Sequence, residues 1–485
     1  MKLQIPNRKT IKQYQNLIEQ KLKTIPELYS DFYHISDILT DDTPELQNLI
    51  KQTTGLTKFK LSAGTSDSKA FRPYIDKIIS DISESNYYRS YNNPPGNSVA
   101  RKAIAIKENI RLNVPDYYNY KDVCLSEGTT GAISQVFEYI KNKSPQAEVI
   151  IAGPTYYLYK YLARYFKLKY KEVFEIILKD KIAKFETVSQ ILDTITENTR
   201  LIIIGQPNNP SNKIYTKSEL TKLLNICKNK NILLMVDQLF EDLLYDASKM
   251  VNADYIALQI NASDNLIVIK GFSKAKNLAG FRIGYSLSKN SKLNDGLSEI
   301  SEQRNCFAGA SNYTGLIALD SYIDAIKILG IKQVKRFFTI NEILLPIEDE
   351  DEIQQVCKQS QLYNKKLLSY YKDYLQKSKQ ILRPVIQAEV EDNVAYNTMV
   401  KLKIKGKVNL LELMLNFYIL TNTVIQMAPC FAYDQETWQK REDLGTWIRL
   451  SYSREDKKRY FETLIKLKDF IENYDIFSDK LIKLR

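Results

Sequence analysis

Five short apolar runs, each stopped by a polar or glycine-bearing segment, constrain this chain more than any other feature. They are Val123-Cys124-Leu125, Val149-Ile150-Ile151-Ala152, Leu201-Ile202-Ile203-Ile204, Ile232-Leu233-Leu234-Met235-Val236 and Leu266-Ile267-Val268-Ile269. Uninterrupted apolar runs of this length suit strands buried on both faces. Helix-like stretches such as Gly131–Lys141 and Lys217–Lys228 lie between them. Strands alternating with helices predict an α/β fold with an open, mostly parallel sheet. Gly128-Thr129-Thr130 follows the first run, Pro154-Thr155-Tyr156 the second and Pro207-Asn208-Asn209-Pro210 the third; Asp237 follows the fourth and Ser273-Lys274 the fifth. Ligands of such sheets bind beyond the carboxyl ends of the strands, so these residues are expected to converge on one site.

The chain of 485 residues, 44% of them hydrophobic, is long enough for one large domain and a smaller one. We read residues 1–75 as an N-terminal arm and part of the small domain, 76–325 as the large domain, and 326–485 as a C-terminal small domain of α+β type. Tyr322–Lys379 reads as a largely helical insertion broken near Pro346, with the acidic run Glu348–Glu352 as a solvated helix start. Tyr396–Lys405 reads as a strand. The net charge of +12 is spread through the sequence rather than gathered in a basic stripe or tail, so no nucleic-acid partner is expected. Five scattered cysteines without a C-x-x-C pair argue against a disulfide framework or a zinc site and suggest a reduced, cytoplasmic setting. No apolar leader opens the sequence and no run approaches membrane-spanning length, so no signal peptide and no membrane partner are expected. The single histidine, His34, excludes His-based triads and His-rich metal sites, and no metal is expected.

The stretch from Gly271 to Tyr285 carries the chemistry. Lys274 follows a small polar turn, and Arg282 lies eight positions later, two after Gly280. A lysine and an arginine so placed suit a Schiff base to an aldehyde cofactor and a clamp on its phosphate. Together with Asn209-Pro210, Asp237 and Arg449, in this order and spacing, the stretch resembles the class I and II aminotransferases of the fold-type I pyridoxal-phosphate enzymes, from about Leu61 to Ser453. The resemblance implies an aspartate-aminotransferase-like large domain with a smaller α+β domain, and pyridoxal 5'-phosphate as cofactor. It implies that Lys274 is the catalytic Schiff-base lysine and general base, and that Asp237 pairs with the cofactor's pyridine nitrogen. Arg282, Ser273, Thr129 and Thr130 would hold the phosphate. Tyr156 would stack on the ring and Asn209 would donate to its phenolic oxygen. Tyr91 matches a residue that reaches the neighbouring subunit's phosphate, which implies a homodimer. Gly64 matches the loop over the substrate, and Arg449 the arginine that binds the substrate α-carboxylate.

The sequence also departs from that pattern. Phe240 stands where a tyrosine is usual, Gly271 where a serine is common, Gln206 for an asparagine, Asn212 for a glycine and Cys430 for a glycine. The first reading is therefore an aminotransferase acting on an amino acid and a 2-oxo acid. The alternative is another pyridoxal-phosphate reaction on an amino acid, such as elimination, cyclisation, decarboxylation or oxidation, toward which Phe240 tilts the balance. A regulator with an aminotransferase-like sensor domain is the third, disfavoured because no helix-turn-helix precedes Leu61.

Overall fold

The computed structural model describes residues 3–61, 64, 66–84, 93–304, 309–406, 408–432, 445–453 and 456–484. The apolar runs form a seven-stranded sheet. Its order is Val123–Glu127, Ile283–Leu287, Leu266–Gly271, Leu233–Asp237, Thr199–Gly205, Glu148–Ala152, Lys169–Val173. Only Ile283–Leu287 runs antiparallel to its neighbours. The strands Leu233–Asp237 and Glu148–Ala152 are buried along their whole length, because helices cover both faces. One face packs on helices Ser98–Leu112, Lys217–Lys230 and Thr314–Leu329, the other on Gly128–Lys143, Leu158–Tyr165 and Ser291–Gln303.

Helix starts follow local chemistry. Lys217–Lys230 opens with a capping box in which Thr216 and Glu219 satisfy each other's backbone N–H groups. The acidic run becomes the first turn of a 33-residue helix, Glu350–Leu382, capped by Asp349, where negative charge meets the positive end of the helix dipole. The helix after the first strand begins at Gly128, three residues earlier than the sequence suggests, so Thr129 and Thr130 lie inside its first turn.

A second, six-stranded sheet runs Gln426–Met427, Thr446–Ser451, Asn397–Leu402, Ile386–Val390, Ile182–Glu186, Glu175–Lys179. Its last two strands form a hairpin from the middle of the chain, so the two sheets exchange sequence. Its core also takes Ile11, Tyr14, Ile18, Leu39, Leu46 and Ile50 from the N-terminal helices Arg8–Leu22, Phe32–Asp41 and Pro44–Thr54, which pack with the C-terminal helices Leu410–Thr421 and Lys457–Glu472. Among the described residues no helix is long and apolar enough to cross a membrane, and no cluster of His, Cys, Asp or Glu has the makings of a metal site.

Candidate active site

The carboxyl ends of the central strands open into one pocket, which also takes residues from the second sheet and the N-terminal arm. Lys274 enters it from the turn after Leu266–Gly271. That turn is pinned on both sides. Phe272 is buried, and its N–H donates to the Ile283 carbonyl at 3.1 Å. Two residues after Lys274, the Lys276 ammonium bonds Asp320 at 2.9 Å and Asp324 at 3.2 Å. Lys274 itself donates through Nζ to the Gly64 carbonyl and lies 5.5 Å from the centre of the Tyr396 ring. Burial, reinforced by the positive charges of Arg449 and Arg282, lowers its pKa to about 8; Asp237 opposes the shift.

Asp237 closes the strand Leu233–Asp237 and is buried. Its Oδ2 accepts from the Tyr159 hydroxyl at 2.7 Å and its Oδ1 from the Leu239 N–H at 3.0 Å. Burial raises its pKa against those two hydrogen bonds and Lys274. Among the described residues it forms no ion pair. The next strand contributes a pair of asparagines with different tasks. Asn208 is spent on the loop, accepting from Thr155 Oγ1 at 2.7 Å and donating to the Pro154 carbonyl at 2.7 Å. Asn209 remains on the pocket wall, where its Oδ1 accepts from Arg449 Nη1 at 3.3 Å.

Arg282 occupies a left-handed backbone conformation (φ 53°). Its guanidinium donates to the Ala279 and Glu127 carbonyls at 3.1 and 3.3 Å. It lies against Gly128, where a Cβ would stand 2.8 Å from Nη2. Gly284 supports the same corner from below: a Cβ there would come within 2.3 Å of the Gly128 carbonyl carbon. Two glycines thus let the arginine, the helix start at Gly128 and the strand Ile283–Leu287 meet. Ser273, Thr129 and Thr130 line this corner. The first turn of the helix carries no acid, and Glu127 turns its carboxylate to the Gly309 N–H, so the corner is electropositive.

Opposite, Arg449 projects from Thr446–Ser451. It is buried, and Gln426, its register partner in the neighbouring strand, accepts from Nη2 at 2.6 Å. Phe431 lies under the guanidinium with 4.7 Å between its ring centre and Cζ. Tyr156 lines the pocket and hydrogen-bonds Thr130. Gly64 reaches the rim through its carbonyl, which also accepts from the Tyr396 hydroxyl at 2.8 Å.

Ten of the eleven residues singled out in the sequence thus have places in the structure, and all ten lie in or against one pocket; Tyr91 lies outside the described residues. Sequence reasoning missed Tyr33, Tyr159, Tyr396, Gln426 and Phe431. Four are aromatic in a chain with 33 tyrosines and 18 phenylalanines, so no local signal sets them apart. Tyr396 does carry one structural mark: a φ of 92°, which only the surrounding packing can hold in a residue with a Cβ. Phe240 packs edge-on against it at 5.8 Å.

Comparison with known proteins gives a family and a fold. The family model "Aminotransferase class I and II" matches residues 57–337. An aspartate aminotransferase of Bacillus sp. (strain YM-2) is 26% identical over 280 residues, covering 56% of this chain and 67% of that protein. That of Bacillus subtilis is 28% identical over 226 residues, which span 47% of this chain and only 55% of the relative. Among solved structures, alanine aminotransferase from Pyrococcus furiosus superposes with a TM-score of 0.68 at 18% identity, over 93% of this chain and all of that one. An aspartate aminotransferase from Thermotoga maritima gives 0.65 at 18% identity, over 92% and 100%. The fold is that of aspartate aminotransferase, and the chain belongs to the class I and II aminotransferase family, enzymes of pyridoxal-phosphate-dependent amino-group transfer.

Proposed function

We propose that this pocket holds pyridoxal 5'-phosphate between Lys274, Asp237 and the Gly128–Arg282 corner, and moves an amino group from an amino acid to a 2-oxo acid. The observation that carries the reading is the pairing of two opposed perturbations in one pocket: an amine depressed to about 8 and a buried carboxylate without an ion-pair partner among the described residues. A buried carboxylate is costly unless a cation meets it, and a protonated pyridine nitrogen is such a cation. The helix start and Arg282 suit a phosphate dianion. The donor set therefore fits the cofactor at both ends.

When bound, the cofactor supplies an aldehyde carbon for amines and a ring that withdraws electrons from the substrate Cα. The chain does the rest. Arg449, held rigid by Gln426 and Asn209, takes the substrate α-carboxylate in a forked hydrogen bond and so aims the Cα–H bond. Lys274, once its amine is free, removes the proton from Cα and returns one on the other side of the transfer. A pKa near 8 suits both directions at neutral pH. Asp237, fixed by Tyr159 and the Leu239 N–H, would set its negative charge against the ring nitrogen. Tyr156 would hold the ring face and Asn209 would offer its amide to the phenolic oxygen. Gly64 would lie over the substrate. A homodimer, to which Tyr91 would contribute from the neighbouring subunit, and a cytoplasmic setting belong to the same proposal.

The visible spectrum of the purified protein tests it. An absorption band near that of protein-bound cofactor should vanish with one amino acid and return with a 2-oxo acid, and Lys274→Ala should abolish borohydride-fixable attachment. The second reading, elimination or decarboxylation at the same site, is favoured by one observation. Phe240 is buried and offers no hydroxyl to the cofactor. Release of ammonia, carbon dioxide or a side-chain fragment without the loss and 2-oxo-acid-dependent return of the visible band would establish it instead.

A further inference from the structure

The wall facing Arg449 comes from a part of the chain outside the matched family region. Helix Phe32–Asp41 precedes residue 57, and it delivers Tyr33 into the pocket. Its start is clamped. Asp31 caps the helix by accepting the Tyr33 and His34 N–H groups at 3.0 and 3.2 Å. The same carboxylate bonds the His34 ring at 2.6 Å and the Arg164 guanidinium on helix Leu158–Tyr165. Tyr33 therefore stacks flat on Tyr157, with ring centres 3.6 Å apart and planes 11° from parallel. Tyr157 meets Tyr156 at 4.9 Å, and on the other side Phe431 lies under Arg449. Next to the carboxylate-binding arginine, the surface is thus aromatic.

Charge narrows the choice further. Among the described residues the pocket carries three cations, Lys274, Arg282 and Arg449, and each has a task in the reaction above. The described cations behind the wall are committed: Lys160 to the Ala432 carbonyl and, at 3.6 Å, to Glu172; Arg164 to Asp31; Lys60 to Asp41. Behind Tyr33 the charges are paired as well, Asp37 with Lys60 at 3.8 Å. Among the described residues of one chain, a second carboxylate on the substrate would find no uncommitted cation there. Among the described residues lining the pocket, the one carboxylate for a cationic side chain is Asp237, already assigned to the ring nitrogen.

We propose that the enzyme selects amino acids with aromatic side chains, and that Tyr33, set by the Asp31 clamp, is the specificity-determining residue. The inference rests on the preceding assignment of Lys274 and Arg449. The side-chain ring lies against the Tyr33–Tyr157 stack while Arg449 holds the carboxylate. Aromatic faces favour such offset or edge-on contacts beyond their buried area.

The test is the half-reaction of the cofactor-loaded enzyme, followed by loss of the visible band, with phenylalanine, tyrosine, aspartate and glutamate. It is paired with the dissociation constants of two unreactive carboxylates, 3-phenylpropanoate and succinate. Phenylalanine should react, and 3-phenylpropanoate should bind, about tenfold or more better than their acidic counterparts, the lower end of what burying one aromatic ring contributes. Tyr33→Ala should erase most of that preference in both measurements, and Tyr33→Phe, which keeps the stack, should retain it. Preference of the wild type for aspartate or glutamate overturns the inference while leaving the transaminase reading intact. An unchanged aromatic preference in Tyr33→Ala overturns the assignment to Tyr33. A protein that reacts with none of the four but does react with alanine or leucine overturns the inference and leaves the transaminase reading intact.

Discussion

The depressed pKa of Lys274 has consequences that can be measured without substrate or cofactor. At pH 7 an amine of pKa about 8 is unprotonated in roughly a tenth of molecules, about 300 times the fraction of a lysine at 10.5. Reaction of the cofactor-free protein with an amine-directed reagent, read at Lys274 by mass spectrometry, should therefore follow a titration with its midpoint near pH 8, while surface lysines titrate above pH 10. The neighbours set the sign of further changes. Arg449 and Arg282 repel the protonated amine, so Arg449→Gln moves the midpoint up. Asp237 attracts it, so Asp237→Asn moves the midpoint down. The same shift carries a stability cost. The folded protein holds Lys274 at a lower pKa than the unfolded chain, so between about pH 8 and 10.5 it binds fewer protons. Below pH 8 the burial of the charged amine costs the folded state about 3 kcal/mol at most. Against this stands the hydrogen bond to Gly64, worth about 1 kcal/mol. Lys274→Met should thus raise the urea midpoint of the cofactor-free protein at pH 7 by the equivalent of about 2 kcal/mol, and the gain should disappear as the pH rises past 10. A labelling midpoint at pH 10 or above in the wild type would refute the reasoning, because it would mean that burial and the two arginines do not act on this amine.

Three further outcomes follow from particular contacts. Gly284→Ala places a Cβ 2.3 Å from the Gly128 carbonyl carbon and 2.6 Å from the Thr129 nitrogen. Backbone must move, so we expect a loss of about 1–3 kcal/mol in unfolding experiments and a weaker dissociation constant for pyridoxal phosphate. Arg449→Ala should weaken binding of amino acids and of unreactive carboxylates by about tenfold to a hundredfold, the worth of a charge-assisted pair, with cofactor binding unchanged; equal inhibitor affinity in both proteins would refute its role. In the proposed function Phe240→Tyr would put a hydroxyl beside the cofactor's phenolic oxygen, where a donor would stabilise the deprotonated chromophore. The pH midpoint of the bound cofactor's visible spectrum should fall, and an unmoved midpoint would show that residue 240 does not face that oxygen.

Legibility in the sequence varied with the range of the interaction involved. The five apolar strands were visible because a strand buried on both faces must be apolar throughout, and a chemical group at the end of each such run is visible by position alone. Lys274, Asp237 and Asn209 stand out for that reason, and Arg282 by its spacing from Lys274. The strand Ile283–Leu287 was not: its pattern Ile-Gly-Tyr-Ser-Leu mixes small and polar residues, because Gly284 must let the Gly128 backbone approach. The hairpin Glu175–Glu186 alternates weakly and is largely exposed, so nothing local shows that it leaves the first sheet for the second.

What the sequence determines by itself is therefore five of the sheet's strands, the groups that end them, and the family those groups resemble. These depend on neighbours a few residues apart, where hydrophobic periodicity and turn residues act directly. The tertiary structure alone decided which aromatics wall the pocket, that Asp237 is held by Tyr159, and that Arg449 is braced by Gln426 and Asn209. It alone decided that an N-terminal helix reaches across to stack Tyr33 on Tyr157. Those contacts join segments up to 240 residues apart. They are selected by the packing of two cores against each other, and a tyrosine in a tyrosine-rich chain bears no mark of which cavity it will face until the chain has closed around it.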